Sequence, residues 1–243
     1  SAEAQANAVS TLMLRYGVAR HVKGPEISQH PSARYSGLTD TLFASGSPAF
    51  TPSIAPMSSV FNFTFVPWFR SVAPYIHKFR NQTFVVGVCG EAIAAGKLPN
   101  LAQDLALIQS MGVKIVLVHG FRPQVNDQLS AKNHTPQYFK GIRITDEIAL
   151  DCAQEAAGQL RYEIEAAFSQ GLPNTPMAGA TVRVISGNFL TARPVGIVDG
   201  VDFQHSGLVR KIATAGITRS LELGALVLMS PFGFSPPAEA FNL

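Results

Sequence analysis

The chain has few charged residues, and this shortage narrows the kinds of protein it can be. Asp, Glu, Lys and Arg make up 14% of the sequence and hydrophobic residues 47%, a balance typical of a globular protein with a real core. The 19 basic and 16 acidic residues are spread along the chain without a Lys/Arg block. We therefore expect no nucleic-acid partner, because binding nucleic acid needs a concentrated basic surface.

Cysteine frameworks and long apolar runs are also missing. Cys89 and Cys152 are too few for a disulfide framework and lack the spacing and neighbouring histidines of a zinc site. They favour a reducing cytoplasm, and no metal site is predicted. No apolar run approaches the ~20 residues that span a bilayer, and the N-terminus has no basic region leading into an apolar one. We expect a cytoplasmic protein without a membrane partner.

Residues 1–56 differ in composition from the rest of the chain. They are rich in Ser, Ala, Pro and Gly and show no sustained period of two or 3.6 residues, which predicts a poorly structured extension. Met57 opens a new composition, and one interpretation is that the native protein begins there. The remaining length suits one main domain.

Residues 57–82 are predicted to form an N-terminal amphipathic helical segment. Apolar side chains recur there at about helical spacing, with basic side chains between them. Pro67 suits a first helical turn, whereas Pro74 lies inside the pattern and is expected to kink or divide the helix. Two interpretations of the apolar face stay open: packing on its own domain, or a subunit contact through Trp68 and Phe69.

Residues 83–243 alternate strand and helix patterns. TFVVGVCG and KIVLVHG are short β-branched runs that end in glycine, and a helical pattern with Leu101, Leu105 and Ile108 on one face lies between them. This βαβ unit predicts two parallel strands in one sheet, with ligands gathering at their carboxyl ends. The chain is therefore expected to have an α/β fold.

The later elements continue this pattern. A long helix is predicted to start at the capping residue Asp146, to carry Ile148 and Phe168 on its apolar face, and to end at Gly171. Short strands follow, and a helix from about residue 213 to 223 leads into the apolar run ALVLMSPFG.

Two motifs have the residues for ligand chemistry. VLVHGFRPQVN is a strand, a turn at Gly120 and the start of a helix, which is typical of an anion-holding loop but equally of a plain strand-to-helix turn. His119 is interpreted as a structural histidine that bonds across this turn rather than as an acid or base. In GIRITD, Arg143 could grip a carboxylate with two parallel hydrogen bonds, although an arginine in this position is also consistent with a solvated surface residue.

Together these motifs resemble the amino acid kinase family and, within it, the N-acetylglutamate synthases, which are amino-acid N-acetyltransferases. VISGNFLTARPVGIVDGVDFQHSGLVRKI and MSPFGFSPPAEAFNL match that family's version of the fold, although SPPAEAF departs from its SPTGEAF. The resemblance covers residues 65–243. It implies a three-layer α/β/α sandwich with a mainly parallel sheet, incomplete at its C-terminus and without the acetyltransferase domain.

The resemblance also implies a domain that has lost phosphoryl transfer. Gly87 stands where the kinases have a phosphate-binding lysine, and Cys89 replaces one of their glycines. Phe121 and Arg122 follow Gly120 where the kinases continue with glycines that cradle phosphate. Because phosphoryl transfer depends on positioning and charge stabilisation, no catalytic residue is expected in this chain.

Two further positions match residues that bind the ligand in the related kinase. Arg143 matches the arginine that holds the carboxylate of the acylated amino acid, and Asn242 matches an asparagine on the same ligand. The resemblance thus implies a glutamate- or N-acetylglutamate-like ligand, with arginine as the family's effector and a homo-oligomeric full-length form. Acetyl-CoA is the full-length family's co-substrate, and no cofactor is expected on this chain. The predicted ligand-binding residues are Gly120, Phe121, Arg122, Arg143 and Asn242.

Three functional hypotheses follow. In the first, the chain is a fragment of an amino-acid N-acetyltransferase, which makes N-acetyl-L-glutamate from acetyl-CoA and L-glutamate in the first step of arginine biosynthesis. Residues 83–243 would be its non-catalytic kinase-like regulatory and assembly domain, inactive alone. In the second, the chain is a stand-alone amino-acid-sensing or subunit-interaction module. The third, an active amino acid kinase, is disfavoured by Gly87.

Overall fold

The computed structural model of the chain describes residues 61–171 and 178–243. The predicted extension over residues 1–56 and the interpretation of Met57 as a start lie outside the described residues. What is described falls into two compact units, helix α1 (Phe61–Phe79) and the residues from Arg80 to Leu243.

Helix α1 is a single helix of 19 residues that continues through both of its prolines. Pro74 does not divide the helix, and the alternative of a kink at Pro74 stays a prediction. Pro67 lies beyond the first turn because the helix begins at Phe61. Each proline removes one backbone donor, and the loss of single hydrogen bonds does not end a helix of this length. Between the prolines, the Ser71 hydroxyl donates to the Trp68 carbonyl at 2.6 Å.

The larger unit begins with alternating strands and helices. In chain order its first elements are β1 (Thr83–Val88), α2 (Gly90–Ala94), α3 (Leu98–Ser110), β2 (Lys114–His119), α4 (Arg122–Ala131), β3 (Gln137–Phe139), β4 (Ile142–Ile144) and α5 (Glu147–Ser169). The elements that follow are β5 (Val184–Ser186), β6 (Leu190–Pro194), β7 (Ile197–Val198), β8 (Val201–Asp202), β9 (Gly207–Ile212), α6 (Thr214–Glu222), β10 (Leu226–Met229), β11 (Phe232–Phe234) and β12 (Ala240–Asn242). The predicted helix near residues 213–223 is confirmed as α6, and the apolar run after it forms β10. The sequence patterns did not indicate the short elements α2, β3, β4, β8 and β12.

A parallel sheet of four strands, in the order β1-β2-β10-β5, forms the middle layer. Alternate side chains of a strand point to opposite faces, so Ile115 and Leu117 join the core beneath α3, α4 and α5, while Val116 joins a second core with Leu221 of α6. Helices therefore cover both faces. The predicted three-layer α/β/α fold with a mainly parallel sheet is confirmed.

Helix α5 begins and ends where its sequence predicts. Asp146 Oδ1 accepts a hydrogen bond from the Ala149 backbone N–H at 2.8 Å, and Gly171 beyond the end has a positive φ of 65°. Phe168 is buried, as expected, but Ile148 is 46% exposed. The prediction for Ile148 is wrong because the buried face of the helix is centred on the side that carries Phe168, away from Ile148.

Short strands at the carboxyl ends of the parallel sheet shape the candidate site. A second sheet has the order β12-β11-β6-β9, and β3 pairs with β4 and β7 with β8 as antiparallel hairpins. Bridges between Thr145 and Gln204 and between Ser206 and Asn242 link these segments. They bring the GIRITD motif next to the last strand of the chain.

Candidate ligand-binding site

The turn after β2 contains a buried histidine that bonds to the neighbouring strand. His119 is 1% exposed, and its Nε2 lies 2.8 Å from Ser230 Oγ, just after β10. Its Nδ1 lies 3.3 Å from the Gly120 carbonyl oxygen. Burial lowers the pKa of His119, so the ring is neutral near pH 7. These contacts support the structural interpretation of His119.

The ends of β1 and β2 approach each other closely at two glycines. The Gly120 N–H donates to the Val88 carbonyl at 2.7 Å, and a Cβ on Gly120 would lie 3.2 Å from Gly90 N. A Cβ on Gly90 would lie 2.7 Å from Gln124 Oε1 and 2.8 Å from Pro123 Cδ. A side chain at Gly90 would therefore collide with Pro123 and Gln124.

The two residues that follow Gly120 have different environments. Phe121 is 7% exposed and joins the main hydrophobic core. Arg122 is exposed at the first position of α4. Ligand contact by Phe121 and Arg122 stays a prediction.

Arg143 lies on β4 with its guanidinium held from two sides. Its Nη2 donates to Asn126 Oδ1 at 2.6 Å, and its Cζ lies 5.0 Å from the centre of the Tyr138 ring, within the range of a cation–π interaction. The Tyr138 hydroxyl donates to the same Asn126 oxygen at 3.2 Å. Arg143 Nη1 is buried and has no hydrogen-bond partner among the residues that the structure describes.

The charge of Arg143 is not compensated by the described part of the chain, in which no carboxylate forms an ion pair with it. Burial lowers the pKa of Arg143, Tyr138 opposes this change, and the positive charge of Arg122 lowers the pKa further. An arginine nevertheless stays protonated near neutral pH. A partly buried cation beside a second cation, with an unused buried donor, is suited to an anionic group.

Asn242 is connected to Arg143 through a buried hydroxyl network. Its Nδ2 donates to Thr145 Oγ1 at 3.1 Å, and Thr145 Oγ1 lies 3.0 Å from Ser206 Oγ. The Ser206 hydroxyl donates to the Arg143 carbonyl at 2.5 Å. Thr145 and Ser206 are almost completely buried. The structure thus links two of the predicted residues, Arg143 and Asn242, through partners that sequence reasoning missed.

The missed residues left different signals in the sequence. Asn126 belongs to the VLVHGFRPQVN motif itself and lies one turn after Arg122 on α4, so its helical spacing could have indicated it. Tyr138 lies just before the GIRITD motif, on the strand that pairs with it. Ser206 is contributed by a distant segment, and no local pattern indicates its contact.

A separate cavity of about 400 Å³ opens beside α5 and the ends of β5 and β10. None of the five predicted ligand-binding residues lines it; its walls include Gln154, Arg161, Ser186, Phe189, Ser230 and Phe232. Within residues 61–171 and 178–243, no cluster of three His, Cys, Asp or Glu side chains could hold a metal ion. No helix in the same ranges is long and apolar enough to span a bilayer.

The fold and these motifs agree with a known family. Residues 82–243 match the amino acid kinase family, and the chain belongs to that family. Among its relatives are two proteins named amino-acid acetyltransferase. The one from Ralstonia nicotianae is 60% identical over 179 residues, which are 74% of this chain and 40% of the relative. The one from Ectopseudomonas mendocina is 48% identical over 179 residues, 74% of this chain and 41% of the relative.

Solved structures of N-acetylglutamate synthase also match this chain. N-acetylglutamate synthase from Neisseria gonorrhoeae, complexed with coenzyme A and L-arginine, matches with a TM-score of 0.66 and 40% identity over 74% of this chain and 42% of that chain. Its complex with coenzyme A and N-acetyl-glutamate gives a TM-score of 0.65 at 40% identity, over 74% of this chain and 40% of that chain. The predicted resemblance to the N-acetylglutamate synthases is confirmed. The chain spans about two fifths of the length of these relatives.

Proposed function

We propose that this chain is the kinase-like part of an amino-acid acetyltransferase and that it serves regulation and assembly. The observation that carries the proposal is the 60% identity to the amino-acid acetyltransferase of Ralstonia nicotianae, over a region that belongs to the amino acid kinase family. Acetyl transfer from acetyl-CoA to L-glutamate, the first step of arginine biosynthesis, would be an activity of the longer protein. The chain alone is proposed to be inactive, and its free cysteines favour the cytoplasm.

The ends of β1 and β2 support the absence of kinase activity. A kinase needs positive charge and backbone donors around the transferring phosphoryl group. Gly87 offers no charge at the position where the kinases have a phosphate-binding lysine, and Phe121 and Arg122 replace the glycines that cradle phosphate there. The chain is therefore proposed to retain the fold of a kinase without its reaction.

The surroundings of Arg143 support an amino-acid ligand. The guanidinium has an uncompensated charge and an unused buried donor, which a ligand carboxylate would satisfy. We propose a glutamate- or N-acetylglutamate-like ligand at this site, with L-arginine as effector. The complexes of the Neisseria gonorrhoeae synthase with L-arginine and with N-acetyl-glutamate are in line with this chemistry.

Calorimetric titration and an activity assay test the proposal together. In the titration we expect binding heat on adding N-acetyl-L-glutamate to the parent chain and no such heat with Arg143→Ala. In the activity assays we expect no ADP from Mg-ATP with N-acetyl-L-glutamate and no product from acetyl-CoA with L-glutamate. ADP formation would contradict the loss of kinase activity, and acetyl transfer would contradict the proposed inactivity of the chain alone. No heat with N-acetyl-L-glutamate, L-glutamate or L-arginine would contradict the ligand site.

A second candidate function, a stand-alone amino-acid-sensing or subunit-interaction module, is favoured by the aromatic side chains of α1. Trp68 is 59% and Phe69 47% exposed, and Phe65 lies 5.7 Å from Phe69 between ring centres. Exposed aromatic side chains in a cluster are typical of interface cores. Such a module would bind another subunit through α1 without contributing to catalysis.

A further inference from the structure

We propose that Asn126 is a positioning residue that fixes the Arg143 guanidinium through a neutral acceptor, so that its positive charge is left for a carboxylate ligand. The inference rests on the proposed function, because it concerns the ligand site assigned there. It adds two residues to that site, Asn126 as the orienting group and Tyr138 as the group that supports Asn126.

The contacts define one orientation of the guanidinium. Asn126 Oδ1 accepts from Arg143 Nη2 at 2.6 Å and from the Tyr138 hydroxyl at 3.2 Å. The Tyr138 ring covers the guanidinium, with 5.0 Å between Cζ and the ring centre. One edge and one face of the group are therefore occupied, and Nη1 keeps both of its hydrogens without an acceptor among the described residues.

Asn126 has a firm support. It lies in α4 and is flanked by two buried residues of that helix, Val125 at 1% exposure and Leu129 at 0% exposure. Both side chains anchor the helix in the main core. A side chain on a packed helix is held more accurately than one on a loop, so Asn126 can set the direction of Arg143 before any ligand arrives.

The neutrality of Asn126 is what leaves the site attractive to an anion. An aspartate here would accept the same hydrogen bond but would neutralise the guanidinium, because a close carboxylate and an arginine form a strong ion pair. With an amide, Arg143 is oriented and remains uncompensated, and Arg122 adds positive charge nearby. A planar carboxylate can then take two donors of the guanidinium at once.

The orientation is tested on the ligand-free chain by NMR of the Arg143 guanidinium, assigned with Arg143→Lys. In the parent chain we expect slow rotation of the Nη2 group, because its hydrogen bond to Asn126 and the Tyr138 ring over the guanidinium restrain it. Asn126→Ala should give fast, averaged rotation, Asn126→Asp should keep it slow, and the control Ser130→Ala, an exposed position on the same helix, should change nothing. Unchanged slow rotation in Asn126→Ala would overturn the positioning role.

The charge argument is tested by calorimetry with N-acetyl-L-glutamate as the probe. Asn126→Ala removes the orienting contact, and Asn126→Asp neutralises the charge of Arg143. Each should weaken binding about tenfold or more, the effect of one charge-assisted hydrogen bond. The control Ser130→Ala should bind as the parent does. Tyr138→Phe, which removes only a hydroxyl, should weaken binding less and covers the case in which Asn126→Ala does not fold. Equal affinity in Asn126→Asp and the parent would overturn the neutral-acceptor role.

The two measurements separate this inference from the proposed function. A parent chain that binds no N-acetyl-L-glutamate would overturn the ligand assigned to the site, and with it the charge argument. The NMR comparison of the parent and Asn126→Ala would still decide whether Asn126 positions Arg143.

Discussion

Gly207 and Gly158 have opposite surroundings. A Cβ on Gly207 would lie 2.6 Å from Phe241 Cβ and 3.1 Å from Leu243 Cδ2, whereas a Cβ on Gly158, inside α5, meets nothing within 4 Å. We expect Gly207→Ala to lower the free energy of unfolding by about 1–3 kcal/mol through overpacking. The matched variant Gly158→Ala should raise it by about 0.5–1 kcal/mol, because alanine favours a helix more than glycine does. Urea unfolding of both variants checks this, and a destabilised Gly158→Ala would contradict it.

His119 makes the stability of the fold depend on pH. Burial lowers the pKa of His119 in the folded chain. Below the pKa of about 6.5 that the histidine has in the unfolded chain, the unfolded chain therefore binds a proton more readily than the folded chain does. Stability is therefore fully present above this value and falls as the pH drops towards the folded pKa. The slope approaches about 1.4 kcal/mol per pH unit at most.

Urea unfolding at pH 7.5 and 5.5 measures this loss. The variant His119→Gln keeps a polar side chain for Ser230 but cannot titrate, so its loss of stability over the same range should be smaller than that of the parent. An equal loss in the parent and the variant would show that other groups cause it.

At the scale of single elements, the start of α5 depends on one carboxylate. Asp146 Oδ1 caps the helix at the Ala149 N–H, and Asp146 Oδ2 lies 2.8 Å from His134 Nε2. Asp146→Ala should lower the free energy of unfolding by about 0.5–2 kcal/mol, the usual cost of losing such a cap. Asp151→Ala, an exposed position further along α5, should have a small effect. Equal losses in thermal unfolding would contradict the capping role.

The elements also show why only part of the molecule could be predicted. The βαβ unit and α5 follow from residue spacing and caps, since their hydrophobic periods and the signals at Asp146 and Gly171 are local. The hairpins around Arg143 are held by contacts between distant segments: Thr145 bonds to Asn242, 97 positions away. No local pattern encodes such a pairing. The motifs therefore singled out Arg143 as a candidate but did not indicate its partners or the close approach of Gly120 to Gly90.

At the scale of the whole molecule, the proposed assembly depends on α1. We expect the chain to elute in size-exclusion chromatography with light scattering as a dimer or larger species, because an exposed aromatic cluster is stabilised by burial against a partner. The double variant Trp68→Ser/Phe69→Ser should shift the distribution towards the monomer, since each buried aromatic side chain contributes about 1.5–3 kcal/mol.

Arg70→Ser is the matched control for this shift, because Arg70 is an exposed, charged residue on the same helix. Its replacement removes a side chain of similar length without removing apolar surface, so the oligomeric state should stay that of the parent. A parent chain that is monomeric at all concentrations would contradict the assembly role of α1. A parent oligomer that both variants leave intact would place the subunit contact elsewhere on the chain.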